Sequence, residues 1–97
     1  MNSFNWGEFQ RLANNKATLV TKSRVPFQIM EATENAVYIN VRSGEIHSIS
    51  RINLEKAVAK IHAGVVLSGP KDYRDFIADD RPAYAWAILK HLGYIEE

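Results

Sequence analysis

The chain contains no cysteine, so it can form neither a disulfide framework nor a thiolate metal site. No apolar run approaches the roughly 20 residues that span a bilayer. The opening residues lack the basic end and apolar core of a signal peptide, and no linker, repeat or low-complexity segment divides the chain. We therefore expect one globular domain over residues 1–97 that is soluble and cytoplasmic and has no membrane partner.

A strong excess of one charge is also lacking, because 12 basic residues stand against 11 acidic ones and the net charge is +1. The distribution is uneven. Residues 11–63 carry eight basic groups and four acids, whereas residues 64–97 carry four basic groups and six acids. This asymmetry permits binding to a polyanion, although a dedicated nucleic-acid domain is usually far more basic. The partner is thus expected to be either nucleic acid or protein.

The order of predicted elements is one helix, three or four strands, and two to three helices. Asn5 is the predicted cap of the first helix, with Glu8 three residues later as in a capping box. The strands are predicted at residues 17–22, 27–32, 36–42 and 45–50, and a bulge or an exit from the sheet would explain the irregular period of the last one. Asn53 is the predicted cap of a central helix that begins at Leu54, and Pro70 and residues 79–82 open the later helices. This order favours an α+β fold with an antiparallel sheet.

Residues 36–61 combine a strand, a tight turn, a second strand and an amphipathic helix, and they also carry a group of basic side chains. Because the N-terminus of a helix offers free amides and a positive dipole end, the segment that leads into the central helix is the predicted anion-binding or nucleic-acid-binding surface. The residues assigned to it are Arg42, His47, Ser50, Arg51, Lys56 and Lys60, with Lys22 and Arg24 as extensions. A normally capped helix with solvated lysines is the competing interpretation.

Aromatic residues suggest two further contacts. Tyr38 is predicted on the outward face of a strand, where it could stack on a nucleic-acid base. Trp86 and Trp6 are candidate anchors of a homodimer or of a partner interface, since tryptophans dominate interface energetics. Core packing is the alternative for all three residues.

No catalytic or metal-ligating pattern emerges from the remaining polar residues. The three histidines, His47, His62 and His91, lack the spacing of metal ligands on one helix. The aspartates Asp72, Asp75, Asp79 and Asp80 are better explained as a solvated helix face with caps than as a magnesium site. No catalytic residue, metal or cofactor is therefore assigned, and we expect a protein without enzymatic activity.

Residues 26–94 resemble a loosely defined group of small bacterial domains. The resemblance rests on the strand VYINV, the turn Ser43-Gly44, the step Ile49-Ser50-Arg51 before a helix, and the final segment PAYAWAILKHLGY. Proteins of that group are mostly uncharacterised and sometimes occur beside restriction-type or mobile-element genes. The resemblance implies a DNA-related setting and carries over no catalytic residue.

The leading functional hypothesis is a small non-catalytic binding or interaction module, associated with nucleic acid through the basic helix entrance. One alternative is a small nuclease or toxin-like enzyme that uses His47 with Arg51 or with another histidine. A second alternative is a structural homo-oligomer held through Trp86 or Trp6.

Overall fold

A computed structural model describes residues 3–95 as an α+β fold. An N-terminal helix is followed by four strands and three helices. The elements are α1 Trp6–Asn14, β1 Thr18–Val20, β2 Pro26–Ala32, β3 Ala36–Asn40, β4 Ile46–Ser50, α2 Arg51–His62, α3 Pro70–Ile77 and α4 Pro82–His91. The predicted fold class is confirmed. Within the described range, no helix is long and apolar enough to cross a membrane.

The four strands form an antiparallel meander in the order β1-β2-β3-β4, so β1 and β4 are the two edges. Alternation along the strands sends one set of side chains into the core. That set comprises Leu19, Phe27, Ile29, Val37, Ile39 and Ile49, all of which are buried against the helices. The opposite face carries exposed or half-buried side chains, among them Thr18, Gln28, Tyr38 and Ser48.

The irregularity that the sequence predicts for the last strand lies elsewhere. The register of β3 and β4 is continuous, and the shift occurs in β2 between Ile29 and Glu31. Ile46 and Ile49, which suggest a bulge, simply lie on opposite faces. Ile49 is fully buried, whereas Ile46 is 56% exposed. The exposed side chain of Ile46 therefore explains why the spacing of Ile46 and Ile49 departs from a period of two, although the strand is regular.

A hydrogen-bond network joins the start of α1 to Tyr94. Asn5 caps α1 as predicted, its side chain accepting from the Gly7 amide. Glu8 does not complete the capping box directly. The Tyr94 hydroxyl donates to Glu8 at 2.7 Å and accepts from the Asn5 amide at 3.0 Å. Tyr94 thus links the start of α1 to the segment after α4.

Candidate functional site

The predicted helix entrance is a capped and internally bonded corner. Ser50, not Asn53, is the N-cap of α2, and its hydroxyl accepts from the Asn53 amide. Arg51 lies over the Trp6 ring at 4.8 Å and donates to the Glu34 carbonyl oxygen. Its guanidinium also lies 3.6 Å from the Glu55 carboxylate. Most of the binding capacity of this arginine is therefore used within the chain.

The other basic residues of the predicted surface are distributed along the sheet and α2. Arg42 is exposed in the turn between β3 and β4. That turn lies at the opposite end of the sheet from Arg51, because Ala36 pairs with Ser50 and Arg42 follows six residues later, a separation of roughly 20 Å. Lys56 is exposed and Lys60 is half-buried on α2. The structure does not bring Arg42 and Arg51 together.

His47 faces the core side of the sheet, opposite Ile39, and is half-buried. It lines a small cavity of about 300 Å³ together with the start of α4, including Arg81 and Tyr84. His91 ends α4, which is about 15 Å long, and His62 ends α2, which is about 18 Å long and begins just after β4. The described lining of this cavity includes neither a second histidine nor Arg51, which lies roughly 13 Å along the chain from His47.

The four aspartates do not converge either. Asp72 accepts from the Ser68 amide at 2.9 Å, and Asp75 pairs with Lys71 at 3.3 Å. Across residues 3–95, no group of three or more histidine, aspartate or glutamate side chains is placed to hold a metal ion. The prediction that Asp79 lies on a solvated face is wrong, since this residue is only 7% exposed.

Asp79 instead joins α2 to the loop before α4. Its carboxylate accepts from the Asn53 side-chain amide at 2.9 Å and from the Arg81 backbone amide at 2.7 Å. Burial, with the charge of Asp79 as a second cause, raises the pKa of Tyr73 well above its usual range. The sequence offers one signal for part of this role. Asp79 stands two residues before Arg81, whose amide it accepts from, and this spacing is typical of an Asx turn.

Both tryptophans are buried within the fold of the chain. Trp86 is 1% exposed and donates to the Leu67 carbonyl oxygen, while Trp6 is 8% exposed and donates to the Thr33 carbonyl oxygen. An indole with so little free surface has little to offer a partner. These side chains are candidate interface anchors by residue type, and in the structure they pack within one chain.

A different cluster of basic side chains lies at the β1 edge of the sheet. It surrounds an open depression of about 540 Å³ between β1, the following turn and the second half of α4. We call this depression the basic groove and define it by Lys22, Arg24, Lys90 and His91, of which the first three are cationic. Among the described residues that line it, none is acidic.

The turn after β1 sets two of these side chains in place. Thr21 is buried, and its hydroxyl accepts from the Val25 amide at 3.1 Å. The Thr21 amide donates to the Val25 carbonyl oxygen, and the Arg24 amide donates to the Thr21 carbonyl oxygen. This closed turn holds Lys22 and Arg24 at the tip of the hairpin, next to α4.

The indole of Trp86 forms part of the groove's floor and fixes two ammonium groups near it. Lys22 Nζ lies 5.5 Å and Lys90 Nζ lies 5.4 Å from the ring centroid, within the range of cation–π attraction. Lys22 also donates to the Ser68 carbonyl oxygen at 2.8 Å. Trp86 therefore holds two positively charged groups beside β1.

Arg24 adopts a conformation that its residue type does not favour. Its φ of +67° lies in the left-handed region, which costs a non-glycine residue roughly 1 kcal/mol. Glycine or asparagine would satisfy the turn with less strain. The strained arginine has its side chain in the basic groove. This placement is consistent with a charge that binds a partner and does not stabilise the fold.

Arg42, which belongs to the predicted helix-entrance surface, lies at the end of the sheet that carries the turn after β1. Gln28 pairs with Asn40, so continuing the register sets Arg42 beside Pro26, the residue that pairs with Val20 of β1. The turn that contains Arg42 and the turn that contains Arg24 thus occupy the same end of the sheet.

Comparison of the chain with family models, with curated proteins and with solved structures finds no match to any of them. The resemblance of residues 26–94 to small bacterial domains, with the DNA-related setting that it implies, therefore stays a prediction.

Proposed function

We propose that this chain is a small non-catalytic binding module and that its partner presents negative charge to the basic groove. The observation that carries this proposal is the convergence of Lys22, Arg24 and Lys90, with His91, on one open depression whose described lining contains no acid. Charges of one sign in a concave site reinforce one another and attract an oppositely charged partner.

The proposal moves the predicted contact surface away from the entrance of α2. Arg51 contacts Trp6, Glu34 and Glu55, so a new ligand would have to displace existing contacts. The basic groove needs no such displacement at Arg24, for which no hydrogen bond or ion pair of the side chain is present among residues 3–95. Arg42, at the same end of the sheet, extends the positive surface.

The two alternative functions have less support. An enzyme that uses His47 requires a second reactive group nearby, and the described lining of the His47 cavity includes neither Arg51 nor another histidine. An oligomer held through the tryptophans requires exposed indoles, whereas Trp86 and Trp6 are buried in the monomer. The binding function needs neither condition.

The test is a binding titration with two labelled anionic probes, a poly-glutamate peptide and a single-stranded oligonucleotide, at increasing salt. We expect at least one probe to bind with an affinity that falls as salt rises, by roughly one power of salt for each ion pair formed with the probe. Arg24→Gln should weaken binding about three- to tenfold, as expected for the removal of one charged group.

Two control variants locate the surface. Arg74→Gln removes an exposed arginine of α3 and should leave the affinity unchanged. Lys56→Gln removes an exposed lysine of α2, and weaker binding confined to this variant would return the site to the predicted helix surface. Failure of both probes to bind at low salt would refute the proposed function.

A further inference from the structure

The basic groove runs along a strand edge whose backbone is open to pairing. Its lining includes Thr18, Leu19, Val20 and Thr21, which are β1 and the residue after it. Because β1 is the first strand of the meander, only one of its sides is paired, with β2. The proposed function involves only the basic side chains of the groove. The open backbone of β1 beside them offers a second means of binding.

The hydrogen-bond register identifies which backbone groups are open. The Ile29 amide donates to the Ala17 carbonyl oxygen, and the Thr21 amide donates to the Val25 carbonyl oxygen. In an antiparallel pair such bonded positions alternate, so the odd-numbered residues of β1 point their backbone groups toward β2. The amides and carbonyls of Thr18 and Val20 therefore point away from the sheet, along the groove.

The side chains that alternate with Leu19 on this edge strand are exposed on the outer face of the sheet. Thr18 is exposed and Val20 is 57% exposed, although valine is usually buried in a strand. The other edge differs in charge. Ser48 and Ser50 of β4 line a cleft with Asp79, Asp80 and Arg81, so acidic groups border that strand. Of the two sheet edges, the β1 edge is the one that combines an open backbone with a described lining that contains basic but no acidic residues.

We propose that the partner is an acidic segment of another protein that adds to β1 as a fifth strand. This inference depends on the proposed function and names the class of its partner. Strand addition uses both the amides and the carbonyls of an open edge, and the flanking side chains select the sequence. Carbonyl oxygens repel phosphate, so this edge suits a peptide better than a nucleic-acid backbone. Alternate acidic side chains of the added strand would face Lys90 and His91.

The experiment uses the full chain and a short synthetic peptide in which glutamate alternates with valine. The same peptide with N-methylated backbone amides keeps its charges but cannot donate hydrogen bonds from its backbone. We expect the N-methylated peptide to bind about tenfold or more weakly, since several backbone hydrogen bonds can no longer form. Equal affinity for the two peptides would overturn strand addition while leaving the proposed function standing.

A variant of the protein provides an independent test. Val20→Pro removes an amide that is not used within the sheet, at an edge position that tolerates proline. We expect about tenfold weaker peptide binding, whereas a ligand held by charge alone would bind with unchanged affinity. Hydrogen exchange of the wild-type chain checks the same point without mutation. The amides of Thr18 and Val20 should gain protection when the peptide binds.

Three outcomes would contradict the inference. Tighter binding of the oligonucleotide than of the peptide would assign the groove to nucleic acid. A concentration-dependent rise in mass of the free chain, abolished by Val20→Pro, would place a second copy at this edge. Unchanged exchange of the Thr18 and Val20 amides in the peptide complex would exclude strand pairing.

Discussion

Removing the carboxylate of Asp79 should destabilise the fold more than any other single change among the aspartates. Asp79→Ala leaves the Asn53 side-chain amide and the Arg81 backbone amide without their shared acceptor. A hydrogen bond to a charged group contributes about 1.5–3 kcal/mol, part of which is offset because a buried carboxylate no longer has to be desolvated. We expect a net decrease of about 2–4 kcal/mol in the free energy of unfolding, compared with a total of roughly 5–15 kcal/mol for a typical domain.

Urea unfolding followed by tryptophan fluorescence measures this decrease, since both indoles are buried. Asp80→Ala is the matched control, because Asp80 is the exposed neighbour and its removal should cost less than about 0.5 kcal/mol. A double-mutant cycle with Asn53→Ala should show a coupling of about 1–2 kcal/mol between the two side chains. If Asp79→Ala proved no more destabilising than Asp80→Ala, the assignment of Asp79 as the link between α2 and α4 would be refuted.

Three further changes test other contacts. Burial, together with the hydrogen bond to Glu8, raises the pKa of Tyr94 to about 12. The phenol of Tyr94 ionises near pH 10 in the unfolded chain but keeps its proton in the folded one, so the free energy of unfolding should fall as pH rises from about 10 to 12. Tyr94→Phe should remove part of that dependence, as measured by urea titrations at a series of pH values. Ser50→Ala removes the N-cap of α2 and should cost about 1 kcal/mol by thermal unfolding; an unchanged melting temperature would contradict the cap. Gly69→Ala brings a new Cβ within 3.0 Å of Lys22 Nζ, the flexible end of a side chain, so the free energy of unfolding in urea should change by less than about 1 kcal/mol; a larger loss would show that Lys22 cannot move aside.

The periodic parts of the chain are predictable because local signals and burial agree there. The α+β class, the alternation of Val37 and Ile39, and the Asn5 cap follow from spacing and residue type, and the structure confirms them. Boundaries are less predictable. The sequence Ser50-Arg51-Ile52-Asn53 contains two good caps, and tertiary pairing of the Arg51 amide with the Asn35 carbonyl oxygen favours Ser50. The burial of Asp79 depends on the return of the chain to Asn53, which no local pattern encodes.

The candidate site is predictable only in part. Lys22 and Arg24 are recognisable as basic extensions, but nothing in the sequence indicates that Lys90 and His91 lie beside them. That proximity requires α4 to pack next to β1, a long-range consequence of the sheet order. Arg51 illustrates the opposite error, because its charge is visible in the sequence whereas its contacts with Trp6 and Glu34 are not.

The most direct test of the central claim is the affinity of the alternating glutamate–valine peptide for the wild-type chain and for Arg24→Gly. Glycine relieves the positive φ of this position, so the free energy of unfolding should stay within about 1 kcal/mol of wild type or rise. The account predicts that peptide affinity nevertheless falls about three- to tenfold, and that the difference shrinks as salt rises. Equal affinity of the two proteins at low salt would contradict a binding role for the basic groove.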